Sequence, residues 1–95
     1  VLVKNDHILG HEQGHFDIAE IFARKLNKQM SEYVFNKNTF KADLKNIYMK
    51  LTAEKDDVQN QYDKGTNHSI NKEKQAEWLK KIREELKALN AFSNY

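Results

Sequence analysis

The chain has no cysteine, no proline and only three glycines, Gly10, Gly14 and Gly65. Without cysteine there is no disulfide and no thiolate metal site, so a transition metal must be held by His, Asp or Glu. The lack of cysteine leaves the compartment open. Without proline, and with so little glycine, the usual punctuation of turns is missing. No apolar run approaches the ~18 residues that span a bilayer, and no signal-peptide pattern is present. An excess of one charge is lacking too. The formal net charge is +2, from 16 Lys and Arg against 14 Asp and Glu. The two signs alternate in stretches such as Lys72-Glu73-Lys74. That pattern describes solvated helix surface and not the basic footprint of a nucleic-acid binder.

With 95 residues, residues 1–95 read as a single domain. A domain this small buries roughly 60–65% of the surface its unfolded chain exposes, so it gains from an added staple. Four histidines could supply one: His7, His11, His15 and His68. The chain starts at Val1 and not at Met, which reads as a mature form or a fragment, possible upstream elements being outside it.

Apolar residues recur at helical spacing, and the expected fold class is mainly α, with about three helices. The first is expected from Asp6 to Gln29, capped by Asn5 or Asp6, with Ile8, His15, Ala19, Phe22 and Leu26 on one face and Ile18 beside them. The second is expected from Thr39, its cap, to Gln61, with Phe40, Leu44, Ile47, Leu51 and Val58 as its stripe. The third is expected from Lys72 to Leu89, capped by Asn71 or Ser69, with Trp78, Leu79, Ile82, Leu86 and Leu89 inward. Tyr62 to Ile70 reads as a polar connection. Val1-Leu2-Val3 is the one stretch that could end a strand.

The first helix carries His11-Glu12-Gln13-Gly14-His15. Histidines four apart lie about 40° apart around a helix and ~6 Å apart along it, so both rings can reach one cation. Glu12 falls beside them, where it can take a proton from water. Five residues thus offer two ligands and a general base, the pattern of a zinc hydrolase. Gly10 and Gly14 each cost roughly 1 kcal/mol against Ala within a helix, which a close approach or tight packing would explain. His7 continues the four-residue spacing, but it lies ~12 Å from His15 along the axis and reads as a surface residue.

A catalytic zinc takes three protein ligands and keeps one open position. A third histidine six residues after His15 is absent, because that position is Ile21. The third ligand is then expected at His68, or at Glu73 or Glu77 on the third helix.

Two segments, His11-Glu12-Gln13-Gly14-His15-Phe16-Asp17-Ile18 and Tyr62-Asp63-Lys64-Gly65-Thr66-Asn67-His68-Ser69, give the chain a family resemblance. It resembles the bacterial family of predicted secreted zinc-dependent proteases, catalogued as a domain of unknown function. Gln75 matches a downstream glutamine of that family, while Ser69 stands where the family has glycine. The resemblance implies zinc, an extracytoplasmic location, a peptide or protein substrate and peptidase activity. It also implies that the helices are the helical portion of a zincin-like α+β domain.

The expected mechanism has His11, His15 and His68 holding zinc and Glu12 as general base. Tyr62 either donates to the developing oxyanion or packs at a helix end. Asp63 either accepts the free N–H of a ligand histidine or serves the loop. The alternatives are a catalytically silent, zinc-stabilised helical domain and a helical protein-interaction module. The sequence does not specify the oligomeric state.

Overall fold

The computed structural model describes residues 6–95, so the Asn5 cap and the Val1–Val3 strand lie outside the described residues. Among the described residues there are three α-helices and no strand. They are α1 (Asp6–Glu32), α2 (Phe40–Gly65) and α3 (Lys72–Ala88), followed by a short 3₁₀ turn at Asn90–Phe92. The expected mainly α, three-helix fold class is what is found. None of these helices is long and apolar enough to cross a membrane. The arrangement is elongated, 52 × 26 × 23 Å, with α1 packing against both α2 and α3 while those two touch each other far less.

The core is small. Ile18, Ile21 and Phe22 of α1, Leu51 and Tyr62 of α2 and Ile82 of α3 are buried, flanked by Leu26, Ile47, Val58, Trp78, Leu79, Leu86 and Leu89. Full burial of an aliphatic side chain such as Ile18 contributes about 1.5–3 kcal/mol. The inward face of α1 is rotated by one residue from the expected one. Gly14 and Ile18 are buried where His15 and Ala19 were expected, and Ile8 is exposed.

Gly14 explains the rotation. A Cβ there would lie 2.6 Å from Tyr62 Cζ and 3.1 Å from Leu79 Cδ2. The Tyr62 ring therefore occupies the space of a missing side chain, and a glycine carries no hydrophobic signal. Gly65 has a related role, since a Cβ there would meet Trp78 Nε1 at 2.8 Å.

Helix ends follow local chemistry. Asn71 caps α3, its side chain accepting the Lys74 backbone N–H. Thr39 occupies the cap position of α2 but makes no side-chain cap bond. Its hydroxyl donates to Asp43 at 2.7 Å, as does the Tyr33 hydroxyl at 2.7 Å. α1 runs three residues past its expected end, where Lys28 pairs with Glu32 at 2.9 Å. α2 runs four residues past Gln61, because buried Tyr62 anchors its last turns and the Thr66 N–H returns to the Tyr62 carbonyl at 3.1 Å. Tyr62 and Asp63 therefore stand on a helix and not in a loop.

Gly14→Ala forces Tyr62 away from α1, and overpacking should outweigh the helix-propensity gain, for a net loss of about 1–3 kcal/mol in urea denaturation. The hydrogen bonds from Tyr33 and Thr39 hold the Asp43 carboxyl below its usual range. A depressed carboxyl stabilises the fold above the unfolded-state pKa of about 3.9, and that contribution is lost as pH falls through the folded value. Asp43→Asn should therefore lower stability at pH 7 while narrowing its difference from the parent near pH 3.

Candidate metal centre

His11 and His15 sit one turn apart on α1, and Asp63 stands on the last turn of α2 opposite them. His11 Nε2 is 3.0 Å and His15 Nε2 2.7 Å from the same atom, Asp63 Oδ1. Among the described residues these three form the group of potential ligands whose donor atoms lie within 4.8 Å of one another. His68 stands outside it. That residue is exposed, in the turn between α2 and α3. At the point of convergence stands not His68 but Asp63, which the extension of α2 brings onto the face opposite α1. Glu73 and Glu77, the other candidates, are exposed on α3, and Glu77 pairs with Lys74 at 3.3 Å.

The group is graded in exposure. The His11 side chain is 6% exposed, that of His15 25% and that of Asp63 35%. The centre is thus walled on the His11 side and open on the other. Burial works to raise the Asp63 carboxyl, but hydrogen bonding and attraction from His15 and His11, when those rings carry the extra proton, outweigh it and hold the group below its usual value. Two imidazole nitrogens and one carboxylate oxygen around a common point are a donor set that zinc accepts, and the open side leaves room for a further ligand. By donor chemistry and convergence the residues fit the metal.

Each ring is also held from behind. His11 Nδ1 lies 3.0 Å from Gln75 Oε1, and Gln75, on α3, is buried. His15 Nδ1 lies 2.5 Å from Gln59 Oε1, one turn before Asp63 on α2. Neither glutamine stood out beyond the family-style match at Gln75. A signal was there in both cases: Gln75 occupies the α3 stripe three residues before Trp78, and Gln59 that of α2 three before Tyr62.

Tyr62 underlies the group. Its ring stacks on His11 with centroids 4.5 Å apart and meets His15 edge-on at 4.8 Å. It is fully buried, and its hydroxyl donates to the His11 carbonyl at 2.9 Å. Burial, with the nearby charges of Asp63, Glu12 and Asp17, pushes its pKa up to about 12. Of the two roles expected for Tyr62, this geometry is that of packing, with the hydroxyl turned toward α1 backbone. Glu12 is exposed, and among the described residues it has no hydrogen-bond or ion-pair partner.

The turn after α2 is unusual. Asn67, His68 and Ser69 have φ of 49°, 52° and 81°, three successive left-handed residues. The His68 N–H bonds the Asp63 carbonyl at 2.8 Å and the Asn71 N–H the Thr66 carbonyl at 2.9 Å. Buried Thr66 donates its hydroxyl to the Tyr62 carbonyl at 2.7 Å. A left-handed conformation costs an L-residue roughly 1–2 kcal/mol, less for Asn. Ser69→Gly should therefore raise stability by about 1 kcal/mol, read as a rise of a few degrees in thermal midpoint.

No curated protein and no solved structure matches the chain. The family DUF922, described as a bacterial protein of unknown function, matches residues 5–69. That span is more than half of the 95 residues and includes His11, His15, Asp63 and Tyr62, so the chain belongs to this family.

Proposed function

We propose that the protein is a zinc-dependent hydrolase of peptide bonds, with His11, His15 and Asp63 as the metal ligands. The observation that carries this reading is the convergence of both Nε2 atoms on Asp63 Oδ1, 3.0 and 2.7 Å away, at a place open to solvent on one side. Bound there, zinc supplies a Lewis acid that polarises a carbonyl and acidifies water toward a pKa of about 7.

The chain's own residues do the rest. His11, His15 and Asp63 hold the charge in place. Glu12 follows His11 on the helix, exposed and free of partners among the described residues. It takes the proton of the attacking water and passes it to the leaving amine. Exposed Ile8 and Phe16 lie one turn before and after Glu12 on α1 and offer apolar surface to a substrate. The family resemblance that suggests this chemistry also suggests an extracytoplasmic setting.

A second reading has its own observation. The donors come from two helices, α1 and α2, so a metal would staple a domain with a small core without any hydrolysis. No strand is present among the described residues to receive an extended peptide at its edge.

The test is zinc binding by calorimetry, with peptide hydrolysis beside it. One zinc per chain is expected, with affinity falling more than about 100-fold in His11→Ala and in Asp63→Asn and little changed in His68→Ala. Glu12→Gln should keep the zinc and lose about 10²–10⁴-fold in hydrolysis. If His68→Ala is the variant that loses zinc and Asp63→Asn keeps it, the third ligand is His68. A parent that binds zinc but cleaves no peptide supports the staple, and one that binds none removes both readings.

A further inference from the structure

We propose that Gln59 and Gln75 are positioning residues that hold His15 and His11 with the ring proton on Nδ1, leaving both Nε2 lone pairs free for a metal ion. The inference rests on the metal-centre reading and extends it to residues that touch no metal.

Backbone carbonyls fix which end of each amide is which. Gln59 Nε2 donates to the His15 backbone carbonyl at 2.9 Å. A carbonyl only accepts, so this end is the NH₂, and Oε1 is the atom that faces His15 Nδ1. Gln75 Nε2 donates to the His7 backbone carbonyl at 3.0 Å, so its Oε1 faces His11 Nδ1. A further contact agrees. His7 Nε2 lies against the Ser69 carbonyl and must carry a proton there, leaving Nδ1 to accept from Gln75 Nε2 at 3.2 Å. Donation thus runs from His11 through Gln75 and His7 to the Ser69 carbonyl without a conflict.

Facing an amide oxygen, each Nδ1 must donate. A neutral ring that donates at Nδ1 has a lone pair at Nε2. Both lone pairs then point at a carboxylate oxygen, which is also an acceptor. Three acceptors meet at one place: an added proton links only one Nε2 to the oxygen, whereas one metal ion takes all three lone pairs. The glutamines thus turn two histidines of undefined tautomer into a preset donor pair. Ligand histidines are commonly oriented through their second nitrogen in this way, and loss of such a partner typically lowers metal affinity about 10–100-fold. The amides are neutral, so they orient the rings without adding charge to the site.

The test is nitrogen-15 NMR of the imidazole rings in the metal-free full chain at pH 9, beside zinc titrations. In the parent, His11 and His15 should both carry the proton on Nδ1. Gln59→Leu should move the His15 proton to Nε2 and leave His11 unchanged, and Gln75→Leu should do the converse. Each should lower zinc affinity about 10–100-fold. Gln59→Glu loses the donor to the His15 carbonyl but keeps an acceptor oxygen toward the ring, and should keep the His15 proton on Nδ1. That rescue separates ring positioning from general packing if Gln75→Leu fails to fold. Protonation at Nε2 in the parent would overturn the inference, as would an unchanged His15 tautomer in Gln59→Leu. Parent rings protonated on Nδ1 in a chain that binds no zinc would sustain the tautomer assignment and remove the zinc reading.

Discussion

Much of the structure depends on how closely Tyr62 approaches Gly14. Removing one side chain from α1 lets an aromatic ring from α2 lie directly on the helix backbone, with its hydroxyl on the His11 carbonyl. The contact sets both the spacing and the register of the two helices. With Tyr62 placed, the next residue, Asp63, faces His11 and His15, and Gln59 falls behind His15. The same ring stacks on His11 and meets Trp78 of α3 edge-on, with centroids 5.6 Å apart. One buried residue therefore holds α1, α2 and α3 together at the end of the molecule where the histidines converge.

The helices themselves were legible because their apolar spacing is strong: Leu51, Ile82 and Phe22 all fell on the expected faces and are buried. What the pattern could not convey was the role of residues that are not apolar. Gly14 sits at the centre of the inward face of α1, and a glycine adds nothing to a hydrophobic stripe. Gln75 is buried on α3, where a polar residue reads as the end of the stripe. The last turn of α2 reads as a polar connection in the sequence because Asp63 and Gly65 are poor helix-interior residues. Tertiary anchoring of Tyr62 outweighs those local preferences. The difference bears on the site, because a helical last turn carries Asp63 to the face of His11 and His15 while His68 lies in the turn beyond it.

The left-handed turn at Asn67–Ser69 is best understood with the polar network it closes. Thr66, buried, satisfies the end of α2, and the Ser69 carbonyl receives His7 from the first turn of α1. His7 in turn meets Gln75 of α3. The turn thus brings the end of α2, the start of α3 and the start of α1 into one set of hydrogen bonds. Among the described residues no buried side-chain polar atom lacks a partner. A partly satisfied buried network would cost more than an apolar one, so its completeness is what allows backbone strain to persist in that turn.

Such an arrangement couples the site to the fold in a specific way. His11 and His15 come from one helix and Asp63 from another, so the three donors are together only when the helices are packed. A metal held by all three would bind the folded chain and not the unfolded one. At a concentration 100 times its dissociation constant it would add about 2.7 kcal/mol to stability. That is comparable to the burial of a whole core side chain, a large increment for a core as small as this one. Glu12 stands apart from this coupling. It is exposed and, among the described residues, joins none of the hydrogen bonds that order the histidines. The residue proposed above to move the proton thus stands outside the polar framework, while the residues that would hold the metal belong to it. Under the proposed chemistry, a change at Glu12 would separate hydrolysis from stability, whereas a change at His11, His15 or Asp63 would move both.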